Sequence, residues 1–315
     1  MKILVLGAGG TGGYFGGRLA QFGADVTFLV RPKRAAQIAA DGLVIVSPGE
    51  RVALRVATTT AETVKPEYDL IMLSCKAYDL DSSVAAIRPA VGPITCIVPL
   101  LNGMSHLDTL DTAFGKARVM GGSCQIVATL TADGVVKSMS ENQTILWGAR
   151  DGANDPNSLQ QQRAQQLADA YAKTSVGWTK SDNIIHDMWE KLVFLSTLAG
   201  MTCLMRGTIG DILATENGKT ILRRYLDAAI EIAKREGYAP REKSMARYEA
   251  VINSVGSPIT ASMLRDIQYG NQVEADHIVG YMLGKARQHG IDDTLMSVAF
   301  THLQTYQNAR ARNAP

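Results

Sequence analysis

Metal and disulfide chemistry find little to work with in this chain. Cys75, Cys96, Cys124 and Cys203 stand singly with no CxxC pair, and His106, His186, His277, His289 and His302 are scattered without ligand spacing. That pattern excludes a zinc ribbon and a disulfide framework, and it reads as reduced, packed thiols of a cytoplasmic protein. An excess of one charge is missing too. Lys and Arg number 32 against 30 Asp and Glu, with no basic block, so nothing marks a nucleic-acid surface. The apolar stretch Leu192–Met205 is stopped by Arg206, short of the roughly 20 residues that span a bilayer. The opening MKILVLGAGG is too brief an apolar run for a secretory leader and breaks at once into glycines. What remains is ample core material, 46% hydrophobic against 20% charged over 315 residues, which suits a globular chain of two domains.

The first half alternates strand and helix signals. KILVLG, DVTFLV, YDLIMLSCK and ITCIVPLLNG read as buried strands, and GTGGYFGGRLAQFG, RPKRAAQIAADG and Asp79–Arg88 as the helices between them. LVIVS and RVALRVA read as an added hairpin. RVMGGSCQIVATL, GVVKSMS and TILWG carry strand character, and Leu159–Lys173 reads as a helix. Short apolar strands alternating with helices predict a doubly wound parallel sheet. Near Thr179 the pattern turns helical. Ser181 or Asp182 can cap the helix that follows. Ile221, Leu222, Tyr225, Leu226, Ala229 and Ile230 form a helical stripe closed by Gly237. Helices are also expected in ITASMLRDIQYG, QVEADHIVGYMLGKARQHG and about 294–310. The expected organisation is α/β, with a Rossmann-type domain over residues 1–180 and an all-α domain over 181–315.

The strand at the chain start runs into Gly7-x-Gly9-x-x-Gly12 and then a helix, the setting in which this spacing binds a dinucleotide. Gly7 permits the tight turn, Gly9 lets the backbone approach a pyrophosphate, and Gly12 lets helix and strand pack closely. The anion would face the helix N-terminus. NAD sites place a carboxylate after the second strand to hold the ribose hydroxyls. Here Arg31 follows FLV, with Lys33 and Arg34 behind it, and Asp25 lies at the wrong end. A cation at that place suits a 2′-phosphate, so the expected cofactor is NADPH, with Arg31 the strongest contact. Lys33 and Arg34 also read as a solvated helix start.

Lys76 in SCKAYD and Asn102 in PLLNGM each follow a buried strand, at the carboxyl edge where open α/β sheets bind ligands. Lys191 is a single cation near the start of MWEKLVFLSTLAGMTCL. A lysine there is either a snorkelling edge residue or a working group.

Taken with LGAGGTGG, CKAYD, LLNGM and WEKL, the segment ASMLRDIQYGNQVEADHIVGYML gives the chain a likeness that covers nearly its whole length. It resembles the ketopantoate reductase (2-dehydropantoate 2-reductase) family. The resemblance implies a Rossmann domain joined to a helical domain, NADPH as cofactor, and reduction of ketopantoate to pantoate on the route to coenzyme A. Carried over by motif, it makes Lys191 the catalytic lysine and Glu274 the acid supporting the network of lysine, substrate and cofactor. It makes Lys76 and Asn102 contacts to nicotinamide and substrate, and Ser262 a contact to the substrate carboxylate. The chemistry agrees. Hydride arriving at C2 of a 2-oxo acid builds negative charge on the carbonyl oxygen, which a poised ammonium can stabilise and protonate.

The sequence departs from the family one and two turns after the lysine. Asparagine is common at both places, and here Leu195 and Ala199 stand on the lysine's own face. A site lacking a partner for a substrate hydroxyl forfeits roughly 1–3 kcal/mol for that group. Three readings therefore stay open: ketopantoate as substrate, a more apolar 2-oxo acid on the same fold and cofactor, and a non-catalytic NADPH sensor. The expected partner is a small 2-oxo acid, with neither nucleic acid nor membrane, and a homodimer is left open.

Overall fold

The computed structural model describes residues 1–141 and 143–313. Two compact units divide them. One comprises Met1–Leu101 and His106–Ile185, and the other Asn102–Ser105 and the chain from His186 onward.

The first unit opens with β1 (Lys2–Leu6), α1 (Gly10–Gln21), β2 (Asp25–Leu29) and α2 (Pro32–Asp41). A hairpin, β3 (Leu43–Ser47) and β4 (Glu50–Leu54), precedes β5 (Ala57–Thr59), β6 (Leu70–Leu73), α3 (Leu80–Ile87) and β7 (Cys96–Pro99). The principal sheet has the order β5-β2-β1-β6-β7 with every pair parallel. All residues of β6 and β7 are buried, as strands covered on both faces require. The order reverses between β1 and β6, which makes their carboxyl ends the switch point of a doubly wound sheet.

RVALRVA, expected as one strand of a hairpin, does not form a single strand. The segment divides: β4 pairs antiparallel with β3, and β5 crosses to the edge of the principal sheet beside β2. An edge strand of sequence ATT, none of it fully buried, carries no apolar signal to find. The hairpin itself turns at Gly49, whose φ of 77° suits glycine.

The unit continues with α4 (His106–Phe114), β8 (Gly121–Gln125), β9 (Ala128–Leu130), β10 (Val136–Ser138), β11 (Thr144–Gly148), α5 (Leu159–Tyr171) and β12 (Gly177–Lys180). Two small sheets, β4-β3-β10-β9 and β12-β11-β8, complete it. Its core includes Phe15, Phe28, Trp147 and Tyr171. Trp147 is fully buried and keeps its indole N–H satisfied by donating to the Ala164 carbonyl at 3.0 Å.

The second unit is helical throughout its regular structure: α6 (Ile184–Met205, entered within its first turn), α7 (Ile209–Leu213), α8 (Gly218–Arg235), α9 (Glu242–Ile252), α10 (Ser262–Gln268), α11 (Tyr281–Gln288) and α12 (Thr294–Arg312). Before α6, Ser181 Oγ accepts from the Asn183 amide at 3.0 Å and holds the entering turn. The stripe on α8 is buried as expected at Leu222, Tyr225, Leu226, Ala229 and Ile230. Positive φ at Gly237, Gly270 and Gly290 ends α8, α10 and α11. The hydroxyls buried in α6 are all spoken for. Ser196 and Thr197 donate to Val193 O, and Thr202 donates to Leu198 O at 2.7 Å. Among the described residues, no helix is long and apolar enough to cross a membrane.

Candidate active site

In the first unit, the turn from β1 to α1 lines a cavity of about 430 Å³. Gly7 holds φ 82° and donates its amide to Leu29 O at 2.9 Å, joining the turn to the end of β2. Side chains at Gly7 or Gly9 would point into open space, whereas a Cβ at Gly12 would overlap Ser74 Oγ and lie 2.6 Å from Gly7 O. The first two glycines thus leave a cradle clear, and the third lets α1 pack close to the sheet. Among the described residues no side chain caps the start of α1, and no acidic residue stands in its first turn. Uncapped amides beside a cleared cradle are the donor set an anionic pyrophosphate needs. Gly12→Ala is expected to destabilise the fold by about 1–3 kcal/mol through overpacking and to weaken cofactor binding. The midpoint of urea unfolding and a fluorescence titration with NADPH check both effects.

Arg31 lines the same cavity, exposed at the start of α2. Arg34 also lines it but is no solvated helix start. Its guanidinium donates to Ala8 O at 3.1 Å, inside the glycine turn, and to Gly134 O at 2.9 Å. Burial lowers its pKa from the usual arginine value. Arg34 therefore braces the turn, while Arg31 lines the cavity with its side chain exposed. Sequence reasoning ranked Arg31 first but gave Arg34 no structural task. Its only signal was position, on the first turn of the helix after β2. Ser74 was also overlooked; its hydroxyl donates to Leu6 O at 3.0 Å where β1 and β6 run side by side. Lys76 lies two residues on, exposed, before the short turn Ala77–Asp79.

The second unit gathers the other candidates. Lys191, half-buried on α6, donates from Nζ to Asn102 Oδ1 at 3.1 Å. Asn102 belongs to this unit because Asn102–Ser105 packs with it. The neighbours of Lys191 anchor its helix. Trp189 stacks on Tyr238, with ring centroids 5.9 Å apart. Glu190 accepts from the Arg241 amide at 2.7 Å and from its Nε at 3.0 Å. Burial pushes the Glu190 carboxyl up, but the Arg241 hydrogen bonds outweigh it and hold its pKa below the usual value. Asp187 adds a second ion pair to Arg241. Glu274 is buried, at 7% exposure, just before the π-helical turn Asp276–Gly280.

Ser262 is the first residue of α10 and is exposed. That helix start is fixed to α6, because the Ala261 amide donates to Thr202 Oγ1 at 3.2 Å. Leu195 is half-buried one turn beyond Lys191, but Ala199 is completely buried. Of the two departures from the family's asparagines, Leu195 is therefore the one whose side chain stays partly accessible. Burial pushes the Cys96 thiol up to about 11 and Cys203 to about 12, so both are inert packing groups. Among the described residues no three His, Cys, Asp or Glu gather to hold a metal ion.

Comparison with known proteins adds to this geometry. The family model described as "Ketopantoate reductase PanE/ApbA" matches residues 3–152, and the one described as "Ketopantoate reductase PanE/ApbA C terminal" matches residues 183–307. The chain is 32% identical over 308 residues to the uncharacterized oxidoreductase YkpB of Bacillus subtilis (strain 168), covering 98% of this chain and 99% of that one. It is 26% identical to a 2-dehydropantoate 2-reductase of Halobacterium salinarum, over 92% of this chain and 94% of the relative. In fold it is similar to a D-mandelate dehydrogenase solved with NADH and anilino(oxo)acetate, with a TM-score of 0.85 at 22% identity, over 99% of this chain and 100% of that one. Matched along both units, this chain is an oxidoreductase of the ketopantoate reductase PanE/ApbA family.

Proposed function

We propose that the protein reduces a 2-oxo acid to the 2-hydroxy acid with NADPH, ketopantoate to pantoate being the default reaction. The observation that carries the reading is the Lys191–Asn102 hydrogen bond, formed in the same unit as buried Glu274. In this proposal the first unit holds the dinucleotide and the second supplies the catalytic lysine. Gly7, Gly9 and Gly12 admit the pyrophosphate, and Arg31 pairs with the 2′-phosphate. NADPH, when bound, supplies the hydride. Lys191 holds one ammonium proton on Asn102 Oδ1 and directs another at the substrate's carbonyl oxygen. As C2 gains the hydride, that oxygen takes charge and then the lysine's proton, and solvent reprotonates the amine. Ser262 donates to the substrate carboxylate. Glu274 balances the lysine's charge, and Lys76 and Asn102 contact the nicotinamide end.

Leu195 favours a second reading of the substrate. Half-buried on the face of Lys191, it puts a hydrocarbon side chain where the family commonly has an amide. The D-mandelate dehydrogenase, of similar fold, carries in its name a substrate with an apolar ring. A 2-oxo acid with an apolar branch or ring fits such a residue better than one needing an amide partner. Steady-state NADPH oxidation across a panel of 2-oxo acids ranks the two. If ketopantoate leads in kcat/KM, the default stands. If apolar 2-oxo acids lead by tenfold or more, the substrate is of that class. If no 2-oxo acid is turned over, the reductase reading fails and a binding protein takes its place.

A further inference from the structure

The turn Asn102–Ser105 is held at both ends. Asn102 accepts the Lys191 hydrogen bond at its head. Gly103, at φ 87°, brings its backbone so close to His277 that a Cβ would overlap the His277 carbonyl oxygen. Ser105 Oγ lies 2.8 Å from His277 Nδ1, and the hydroxyl can donate or accept to suit either tautomer. Both of the latter contacts fall on one residue. His277 stands in the π-helical turn Asp276–Gly280, an uncommon geometry that recurs at functional sites.

A lysine ammonium sits on a flexible stem with three rotatable donors, so its direction is only as definite as its acceptor. An acceptor on a short turn is definite only if the turn is fixed behind it. We infer that His277, through Ser105 and the Gly103 backbone, is a positioning residue that sets Asn102 Oδ1 against the Lys191 ammonium. The inference rests on the proposed role of Lys191. His277 touches no reacting atom in this scheme and acts through the turn.

Ser105→Ala removes the side-chain link with little change in volume, and Ser105→Thr keeps it. Both are compared with Asn102→Ala and with the double variant Asn102→Ala/Ser105→Ala. The readouts are kcat and KM on the best 2-oxo acid, the rate of Lys191 labelling by trinitrobenzenesulfonate in the cofactor-free protein, and the urea midpoint. Ser105→Ala is expected to lower kcat about tenfold with KM changed less than about twofold, as small misplacements of catalytic groups do. Lys191 labelling should change severalfold, Ser105→Thr should restore both, and the urea midpoint should stay near that of the wild type. In the Asn102→Ala background, Ser105→Ala should change neither readout further. Losses that multiply in the double variant, or an Ser105→Ala protein with wild-type kcat and labelling, overturn the inference while leaving Lys191 its role. An Asn102→Ala protein with undiminished turnover overturns the inference and the Lys191–Asn102 reading together.

Discussion

Lys191→Ala is expected to lower kcat by roughly 10²–10⁴-fold, the span over which a positioned proton donor contributes. At about 1.4 kcal/mol per decade this is roughly 3–5.5 kcal/mol of transition-state stabilisation. The loss should fall on kcat because the charge that Lys191 is proposed to stabilise exists only as hydride reaches C2. NADPH affinity should stay within about twofold, since the glycine turn and Arg31 belong to the other unit. Lys191→Arg should rescue little. Arginine keeps the charge but does not give up a proton near neutral pH. Stopped-flow single turnovers with saturating NADPH read the chemical step, and equilibrium fluorescence reads cofactor affinity. A variant with near wild-type single-turnover rate would remove Lys191 from the reaction.

Arg31→Ala is expected to weaken NADPH binding by roughly 10–150-fold, the equivalent of about 1.5–3 kcal/mol for hydrogen bonds to a charged group. NADH affinity should change less than about threefold, because NADH has no phosphate at the ribose 2′ position. The test discriminates because Arg34, on the same helix, is committed to Ala8 O and Gly134 O. Arg34→Ala should therefore weaken both cofactors together by loosening the glycine turn, whereas Arg31→Ala should separate them. Calorimetric titration with each cofactor reads the difference, and equal losses for NADPH and NADH in Arg31→Ala would remove the 2′-phosphate assignment.

The fold was largely legible because its signals are local. Buried strands such as LIML and CIVP announce themselves by unbroken apolar runs, and the glycine turn by its spacing between strand and helix. What escaped was whatever lacked such a signal. β5 is short and polar, and it is a strand only because β2 offers it an edge. α9 buries chiefly Tyr248 and Ile252, too little for a helical stripe to stand out. At the candidate site the residue types were readable, but their bracing was not. That Arg34 bonds to the glycine turn, that Asn102 packs with the helical unit, and that Ser105 of the same turn meets His277 are long-range facts, set by pairings 26 to 172 residues apart. Ala199 shows the limit from the other side. Helical spacing puts it on the face of Lys191, but its complete burial withdraws it from any open pocket.

Hydride reaching C2 of a 2-oxo acid is the step on which the proposed reaction depends. It is tested most directly by supplying NADPH deuterated at both C4 positions of the nicotinamide, together with the best 2-oxo acid of the panel, and examining the product by NMR and mass spectrometry. The prediction is a 2-hydroxy acid carrying one deuteron at C2, formed by the wild type and essentially lost in Lys191→Ala. Product without the C2 deuteron, or no consumption of NADPH with any 2-oxo acid, would contradict it.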